Sequence, residues 1–506
     1  MSGKAGMNKK TGVNGKAGTN EKAEIDRNVE RNKSAGTRGK RVLGVAAVAA
    51  VCVLLACVGH VLSVEKTGIV TDIEGNVIAR LMYDNRSDGD QADVDRTVRY
   101  DCEDGYEAYI DLACREAAKI LCEREGIREA EAFGMLVEEE MTVQTTLCPD
   151  VMGGLLDVCA EESMLSGILA SERAAAVSDT QEHILACFSH SAEESSRNYV
   201  TYPTYAGSTI KSLSVYGPAV EDDVACWSDL YLDSPYRQSI NADGEEEVWP
   251  VNTGSYTNRM WTVQEALKKS NNAIAVKVLK DYGVGDSCRF IREAFGLKTE
   301  VEERAVLEGK EDEVLPNLAL GYLEAGVTMR DLLGAYQTFA NGGIYTPMHA
   351  VAAIRTGNGE EYYQEGSETT RVFSAETAYV MNRMLKTVVE EGGTGEAAFI
   401  EGLDICGKTG TSDESRDNWF VGMTPEYVCA VWYRLPRAGM KNESPAVFKE
   451  IMVRMEHHEE IGYQKPESVA EAAYCEKTGL LANEFCEEQK TGYYKKQNMP
   501  GECDCQ

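Results

Sequence analysis

The apolar positions of this 506-residue chain change their spacing several times along its length, and each change marks a segment. Residues 42–64 form a run of 23 without a charged side chain. As a helix rising 1.5 Å per residue, such a run crosses the ~30 Å hydrocarbon layer of a bilayer. It reads as an uncleaved anchor, because a signal peptide has a shorter apolar core and a shorter basic leader than the 41 residues present here. Residues 65–200 open with strand-like positions over 67–83, pass through Asp- and Gly-rich punctuation, and then show helical spacing over 106–125 and 152–175. From 201 to 455, helical patterns alternate with Val-, Tyr- and Trp-rich runs, of which YVCAVWYR at 427–434 predicts a buried strand. Residues 456–506 are rich in Glu and Lys, hold four cysteines and have weak periodicity, which predicts an appendage.

Five segments follow: a disordered basic leader (1–41), a transmembrane helix (42–64), a linker or supporting domain (65–200), a catalytic domain (201–455) and a Cys-containing tail (456–506). Charge orients them. The leader carries eleven Lys/Arg against four Asp/Glu and stays in the cytoplasm by the positive-inside bias, which puts residues 65–506 outside a single-pass cell membrane protein. The formal net charge is −32, and the chain beyond Arg41 holds 40 Lys/Arg against 79 Asp/Glu, which excludes nucleic acid as a partner of the main body. With 43% hydrophobic residues, 26% charged residues and 12 prolines, a wholly disordered, collagenous or polytopic membrane chain is excluded as well.

Sixteen cysteines are too dilute for a small disulfide scaffold, and no CxxC pair occurs. Cys475, Cys486, Cys503 and Cys505 have no recognised zinc-ligand spacing and read as free or locally bridged thiols. The six histidines have no metal-like partner set. Neither a metal nor a cofactor is expected.

A serine hydroxyl becomes a useful nucleophile when a base lies within hydrogen-bond reach, and a lysine serves if its charge is suppressed. Ser208 and Lys211 offer that pairing, three residues apart and on one face if Ser208 opens a helix. The pattern alone is weak, since Ser63 and Lys66 match it at the membrane exit, where the lysine only snorkels. Lys-Thr-Gly occurs five times, starting at Lys10, Lys66, Lys408, Lys477 and Lys490. Only Lys408 lies among expected strands, ahead of NWFVG at 418–422, and an edge strand carrying Lys408, Thr409, Gly410 and Thr411 would present a cation, hydroxyls and backbone N–H groups to an anionic acyl substrate. Of two Ser-x-Asn sites, Ser196-Arg197-Asn198 is the weaker. Ser270-Asn271-Asn272 interrupts a helical pattern and so points side chains into a cleft. Trp419 and Phe420 read as core residues behind the active strand.

In this order the elements resemble those of the penicillin-binding proteins, whose transpeptidase domain shares SxxK, SxN and KTG motifs with the serine β-lactamases. GSTIK at 207–211, TVQEALKKSNNAIAV at 262–276, AYQTFANGG at 335–343, GTG at 393–395 and GKTGTSDESRDNWFVG at 407–422 are similar to the class A branch. TVQTTLCP at 142–149 resembles a segment just ahead of its transpeptidase core. The resemblance implies an α+β fold, an antiparallel sheet flanked by helices, acting on peptidoglycan stem peptides ending in D-Ala-D-Ala and acylated by β-lactams. Ser208 would be the nucleophile, Lys211 its base, Ser270 the proton relay, Asn272 a holder of Lys211 and of the acyl amide, and Lys408 a source of positive potential. The N–H groups of Ser208 and Thr411 would form the oxyanion hole, with Thr409 or Thr411 binding the terminal carboxylate.

Two departures matter. Class A members carry a glycosyltransferase domain ahead of the transpeptidase, and residues 65–200 are too few for one and lack its Glu-Asp-x-x-Phe-x-x-x-His motif. A separate glycan polymerase is therefore an expected partner. Ser212 also stands where the family's SxxK lysine is commonly followed by proline. Water as acceptor would instead make the protein a D,D-carboxypeptidase. An inactive scaffold or β-lactam sensor is disfavoured by the intact motifs and the short cytoplasmic leader, and a β-lactamase by the want of a second well-placed carboxylate.

Overall fold

The structure, a computed structural model, describes residues 66–83, 98–159, 172–191, 197–240, 244–366, 368–412, 416–435, 441–458 and 462–506. The leader and the apolar run at 42–64 lie outside these residues, as do Ser63 and Ser196. Among the described residues no helix is long and apolar enough to cross a membrane. Residues 66–506 form one compact unit.

Two sheets organise that unit. The first has five strands in the order Cys406–Thr411, Asp417–Met423, Tyr427–Arg434, Glu172–Asp179 and Ile184–Ser191, every neighbouring pair antiparallel. Asp417–Met423 is buried at every position, the polar Asp417 and Asn418 included. Helices Met329–Ala340, Ala375–Val389 and Ser444–Met452 pack on these strands. Each has an apolar stripe, and Thr328 and Ser374 cap the first two by accepting from the backbone N–H three residues on. Trp419, Phe420 and Trp432 are fully buried, so the aromatic pair behind the Lys408 strand is core, as expected.

The second sheet has six strands, ordered Glu361–Gln364, Val351–Arg355, Thr142–Thr145, Gly68–Thr71, Val77–Tyr83 and Val98–Cys102, with one parallel pair between Gly68–Thr71 and Thr142–Thr145. Thr146 ties the sheets together, its hydroxyl donating to Ile184 O at 2.7 Å. Beside it the buried Glu116 carboxylate reaches Arg330 at 2.7 Å. His183 is hydrogen-bonded to Asp179 and reaches Glu365, and these two carboxylates raise its pKa to about 10.

Three expectations need correction. Residues 152–175 are not one helix: the helix is Pro149–Cys159, and a strand has begun by Glu172. The strands at 172–191 lie in the sheet that carries Lys408, while Val351–Arg355 and Glu361–Gln364 complete the other sheet, so the chain crosses between sheets instead of dividing at residue 200. The tail is not an appendage. Its hairpin, Val469–Cys475 with Gln489–Lys495, packs on helix Ala375–Val389, and Tyr474 and Tyr494 join the main core.

Candidate active site

Ser208 sits in a tight 3₁₀ turn, Gly207–Ile210, followed by a wide helical turn over Ser212–Tyr216. In a 3₁₀ turn residues i and i+3 eclipse, which stacks Lys211 against Ser208 more directly than an α-helix would. The turn is anchored from behind: the Tyr336 hydroxyl donates to Thr209 O at 2.6 Å and lies 3.3 Å from Ser212 Oγ, so the serine that replaces the expected proline has a buried partner. Gly207 has φ of +55°, and a Cβ there would come 2.6 Å from Thr411 O. A Cβ on Gly321 would come 2.1 Å from Gly207 O. Three backbones, at 207, 321 and 411, thus meet at a spacing that only glycine permits. That approach sets the Thr411 main chain beside the nucleophile turn, where an oxyanion hole needs it.

The Ser-x-Asn element lies at the break between helices Val263–Lys268 and Asn272–Tyr282. Ser270 has φ of +55°, a left-handed conformation that costs a serine about 1 kcal/mol or more. Asn271 holds it there, capping the second helix through Ile274 N–H and donating its amide to Asp233 at 2.8 Å. Asp233, buried, also accepts from Asn252 and from Thr257 N–H and hydroxyl. Asn252 returns the favour to the site by accepting from Asn272 N–H at 3.0 Å. Neither Asp233 nor Asn252 was singled out from sequence. Their signal is only that both fall just ahead of the Ser-x-Asn break.

At the centre, Lys211 Nζ donates to Asn272 Oδ1 at 2.5 Å and to Ser270 O at 2.9 Å, and lies 3.5 Å from Ser270 Oγ. Lys408 Nζ donates to the same Ser270 Oγ at 2.8 Å and to Thr409 O at 2.9 Å. Asn272 turns its Nδ2 to Val251 O, which fixes the amide so that its oxygen faces Lys211. Thr409 shares a hydrogen bond with Thr394 at 2.7 Å, adding a hydroxyl from the glycine-rich 393–395 segment that sequence reasoning had not assigned to the site. Gly410 is buried and Thr411 half-buried, at the end of the strand nearest Ser208.

Both amines are fully buried and donate to oxygens of uncharged groups, Lys211 to Asn272 and Ser270 and Lys408 to Ser270 and Thr409. Burial, and secondarily the Lys408 charge, holds the Lys211 pKa well below its usual 10.5. Burial lowers Lys408 to about 7. Burial thus disfavours the charge on both amines, and a lysine whose charge is disfavoured can accept a proton. Of the eight residues expected from sequence, hydrogen bonds join Lys211, Ser270, Asn272, Lys408 and Thr409, and the close main-chain approach of Gly207 to Thr411 brings the Ser208 turn beside Gly410 and Thr411.

A serine in a tight turn, two buried lysines converging on a second serine hydroxyl and a Lys-Thr-Gly strand at the edge of a sheet are the groups expected of a serine acyltransferase. Residues 172–453 match the model of the penicillin binding protein transpeptidase domain, and the chain belongs to that family. It is 30% identical over 322 residues to penicillin-binding protein 1A of Clostridium tetani (strain Massachusetts / E88), covering 59% of this chain and 39% of that protein. With penicillin-binding protein 4 of Bacillus subtilis (strain 168) it shares 29% over 350 residues, 65% of this chain and 53% of that one. The chain thus spans about half or less of the curated relatives it matches. Among solved structures, the D,D-transpeptidase domain of a peptidoglycan glycosyltransferase from Eggerthella lenta superposes with a TM-score of 0.56 at 19% identity, covering 77% of this chain and 98% of that chain. Penicillin binding protein 3 from Mycobacterium tuberculosis, complexed with aztreonam, gives a TM-score of 0.57 at 18% identity over 77% of this chain and 95% of that one.

Proposed function

We propose that the chain is a membrane-anchored D,D-transpeptidase that crosslinks peptidoglycan stem peptides and is acylated by β-lactams. The observation that supports this most directly is the convergence of Lys211 and Lys408 on the Ser270 hydroxyl. In this reading Ser208 Oγ attacks the carbonyl of the penultimate D-alanine, and its proton passes to neutral Lys211. The N–H groups of Ser208 and Thr411 hold the developing oxyanion, an effect of roughly 3–4 kcal/mol per donor in related acyl transfers. As the peptide bond breaks, Ser270 relays the proton to the departing D-alanine amine, leaving an ester on Ser208. The amine of a neighbouring stem peptide then attacks that ester, the crosslink forms and Ser208 regains its proton. Lys408, Thr409 and Thr411 receive the terminal carboxylate. Residues 42–64 anchor the chain, and a separate polymerase makes the glycan on which it acts.

The test begins with a fluorescent penicillin, a denaturing gel and peptide mapping. The labelled peptide is expected to contain Ser208, and Ser208→Ala to abolish labelling while the protein stays folded. Lys211→Ala cuts labelling by about 10²-fold or more. Lys477→Ala and Lys490→Ala, at decoy Lys-Thr-Gly sites, leave it unchanged. Supplied with the lipid-linked disaccharide precursor alone, the full chain yields no glycan; with a polymerase added, it releases D-alanine and forms penicillin-sensitive crosslinks. Release of D-alanine without crosslinks, in the presence of a competent acceptor, assigns it as a carboxypeptidase. Glycan made by the chain alone refutes the division of labour.

A further inference from the structure

The tail contains a feature the acyl-transfer reading does not use. Cys475 ends one strand of the tail hairpin, Cys486 lies in the connection before the second strand, and Cys503 and Cys505 come from the last residues of the chain. No ligand spacing marks them in sequence, because they approach from three separate stretches of chain. In the fold their four Sγ atoms all lie within 4.8 Å of one another. Cys475 Sγ and Cys505 Sγ are 3.9 Å apart. A tetrahedral ion with metal–sulfur bonds of about 2.3 Å requires sulfur–sulfur edges of roughly 3.8 Å. A disulfide would need about 2.05 Å and would draw the four into two pairs. What is observed is one cluster of four.

We propose that Cys475, Cys486, Cys503 and Cys505 form a closed tetrathiolate site for a structural divalent cation, Zn²⁺ being the ion whose chemistry fits it best. Four soft sulfur donors in one cluster fill a tetrahedral ion's coordination with protein ligands alone, as in structural rather than catalytic zinc sites.

The surroundings are built for it. Asn483 N–H points at Cys486 Sγ at 3.4 Å, and the Thr478 hydroxyl is 3.2 Å from Cys503 Sγ, the outer-shell hydrogen bonds that orient thiolates and spread their charge. The Asn483 side chain donates to Cys503 O at 2.8 Å and Cys505 O at 3.1 Å, fastening the chain terminus to the loop that holds Cys486. Cys475 O accepts from Gly479 N–H at 2.8 Å, closing a tight turn around the first ligand.

Energetics point the same way. Three of the cysteines are buried, and among the described residues the apolar neighbours packed on them, apart from Cys505, are Leu480 and Ala482, in a cluster separate from the main core. So small an apolar cluster buries too little area to offset the conformational entropy of ordering these loops, the situation in which small folds recruit a metal. On binding, the four thiols release their protons to solvent as four metal–sulfur bonds form, so the balance needs no oxidant. The turn is also clamped to the catalytic unit. The Ser228 hydroxyl donates to Gly479 O at 2.5 Å, and Tyr494 OH reaches Ser228 at 3.0 Å. A filled site would therefore brace the segment that runs from Ser228 to Asp233 and the Ser-x-Asn turn.

The test uses the full chain in detergent, purified with reductant, exposed to Zn²⁺ and dialysed. Elemental analysis is expected to find about one zinc per chain. Replacement by Co²⁺ should give the intense visible bands and sulfur-to-cobalt charge transfer of a tetrahedral tetrathiolate. Alkylation followed by peptide mapping should find the four cysteines protected until a chelator is added. Cys486→Ser and Cys503→Ser lose the metal, whereas Cys148→Ser keeps it. The zinc, cobalt and alkylation measurements on the unaltered chain decide the matter even if the variants fold poorly. Absence of bound zinc and of the cobalt spectrum overturns the proposal, as does protection of these cysteines that yields to reductant but not to chelator, the mark of disulfides. None of these readouts depends on acylation of Ser208, so this site and the transpeptidase assignment stand or fall separately.

Discussion

Lys408 Nζ donates to Ser270 Oγ at 2.8 Å across 138 residues of sequence, and the same hydroxyl lies 3.5 Å from Lys211 Nζ. One hydroxyl thus stands between two buried amines, and whichever amine carries a proton can pass it through Ser270. That relationship ties the lysine of the edge strand to the hydroxyl that serves as proton relay in the proposed mechanism.

Lys408→Ala should therefore slow acylation of Ser208 by a β-lactam by about 10²–10³-fold, the usual cost of removing one aligned electrostatic donor from an acyl-transfer site. The rate of fluorescent penicillin labelling measures it. An unchanged rate would remove Lys408 from the chemistry.

The same lysine should appear in stability. Its pKa in the folded protein is lowered from 10.5 to about 7, so between those values the unfolded chain binds a proton that the folded protein does not. Stability then rises with pH through this window, at up to about 1.4 kcal/mol per unit for this one group. Lys211, also lowered, contributes with the same sign and is present in both proteins compared. Denaturant unfolding of the wild type and of Lys408→Met, between about pH 7 and 9, should show the smaller slope in the variant. Equal slopes would mean Lys408 keeps an ordinary pKa.

Gly321→Ala tests the packing of three backbones at the nucleophile. Its φ is +88°, and the new Cβ would fall 2.1 Å from Gly207 O. Gly359 has φ of +85° with nothing within 4 Å of a Cβ, so Gly359→Ala bears the conformational strain alone. The expected loss is about 1 kcal/mol at 359 and about 3 kcal/mol or more at 321, with slowed labelling only in the latter. Calorimetry and labelling on both variants check it.

Asp233→Ala removes an acceptor of four hydrogen bonds and leaves Asn252, Asn271 and Thr257 without their buried partner. A loss of about 2–4 kcal/mol is expected, together with slower acylation as the Ser270 turn relaxes from its left-handed conformation. Wild-type labelling in a variant of lowered stability would limit Asp233 to a structural role.

Local rules carry far in this chain. The Ser208–Lys211 spacing, the polar break at 270–272, the strand at 427–434 and the choice of Lys408 among five Lys-Thr-Gly sites are legible because each depends on periodicity or on neighbours a few residues away. The apolar run at 42–64 is equally legible, and its placement lies outside the described residues. What tertiary structure decided is everything that depends on pairing over long separations. Strands 172–179 and 184–191 read as part of a supporting segment because nothing in their own pattern names Tyr427–Arg434 as the partner. Thr394, Asn252 and Asp233 look like ordinary loop residues until the fold aims them at the site. The four tail cysteines show no ligand motif, since motifs record sequence spacing whereas coordination depends on where separate turns end in space.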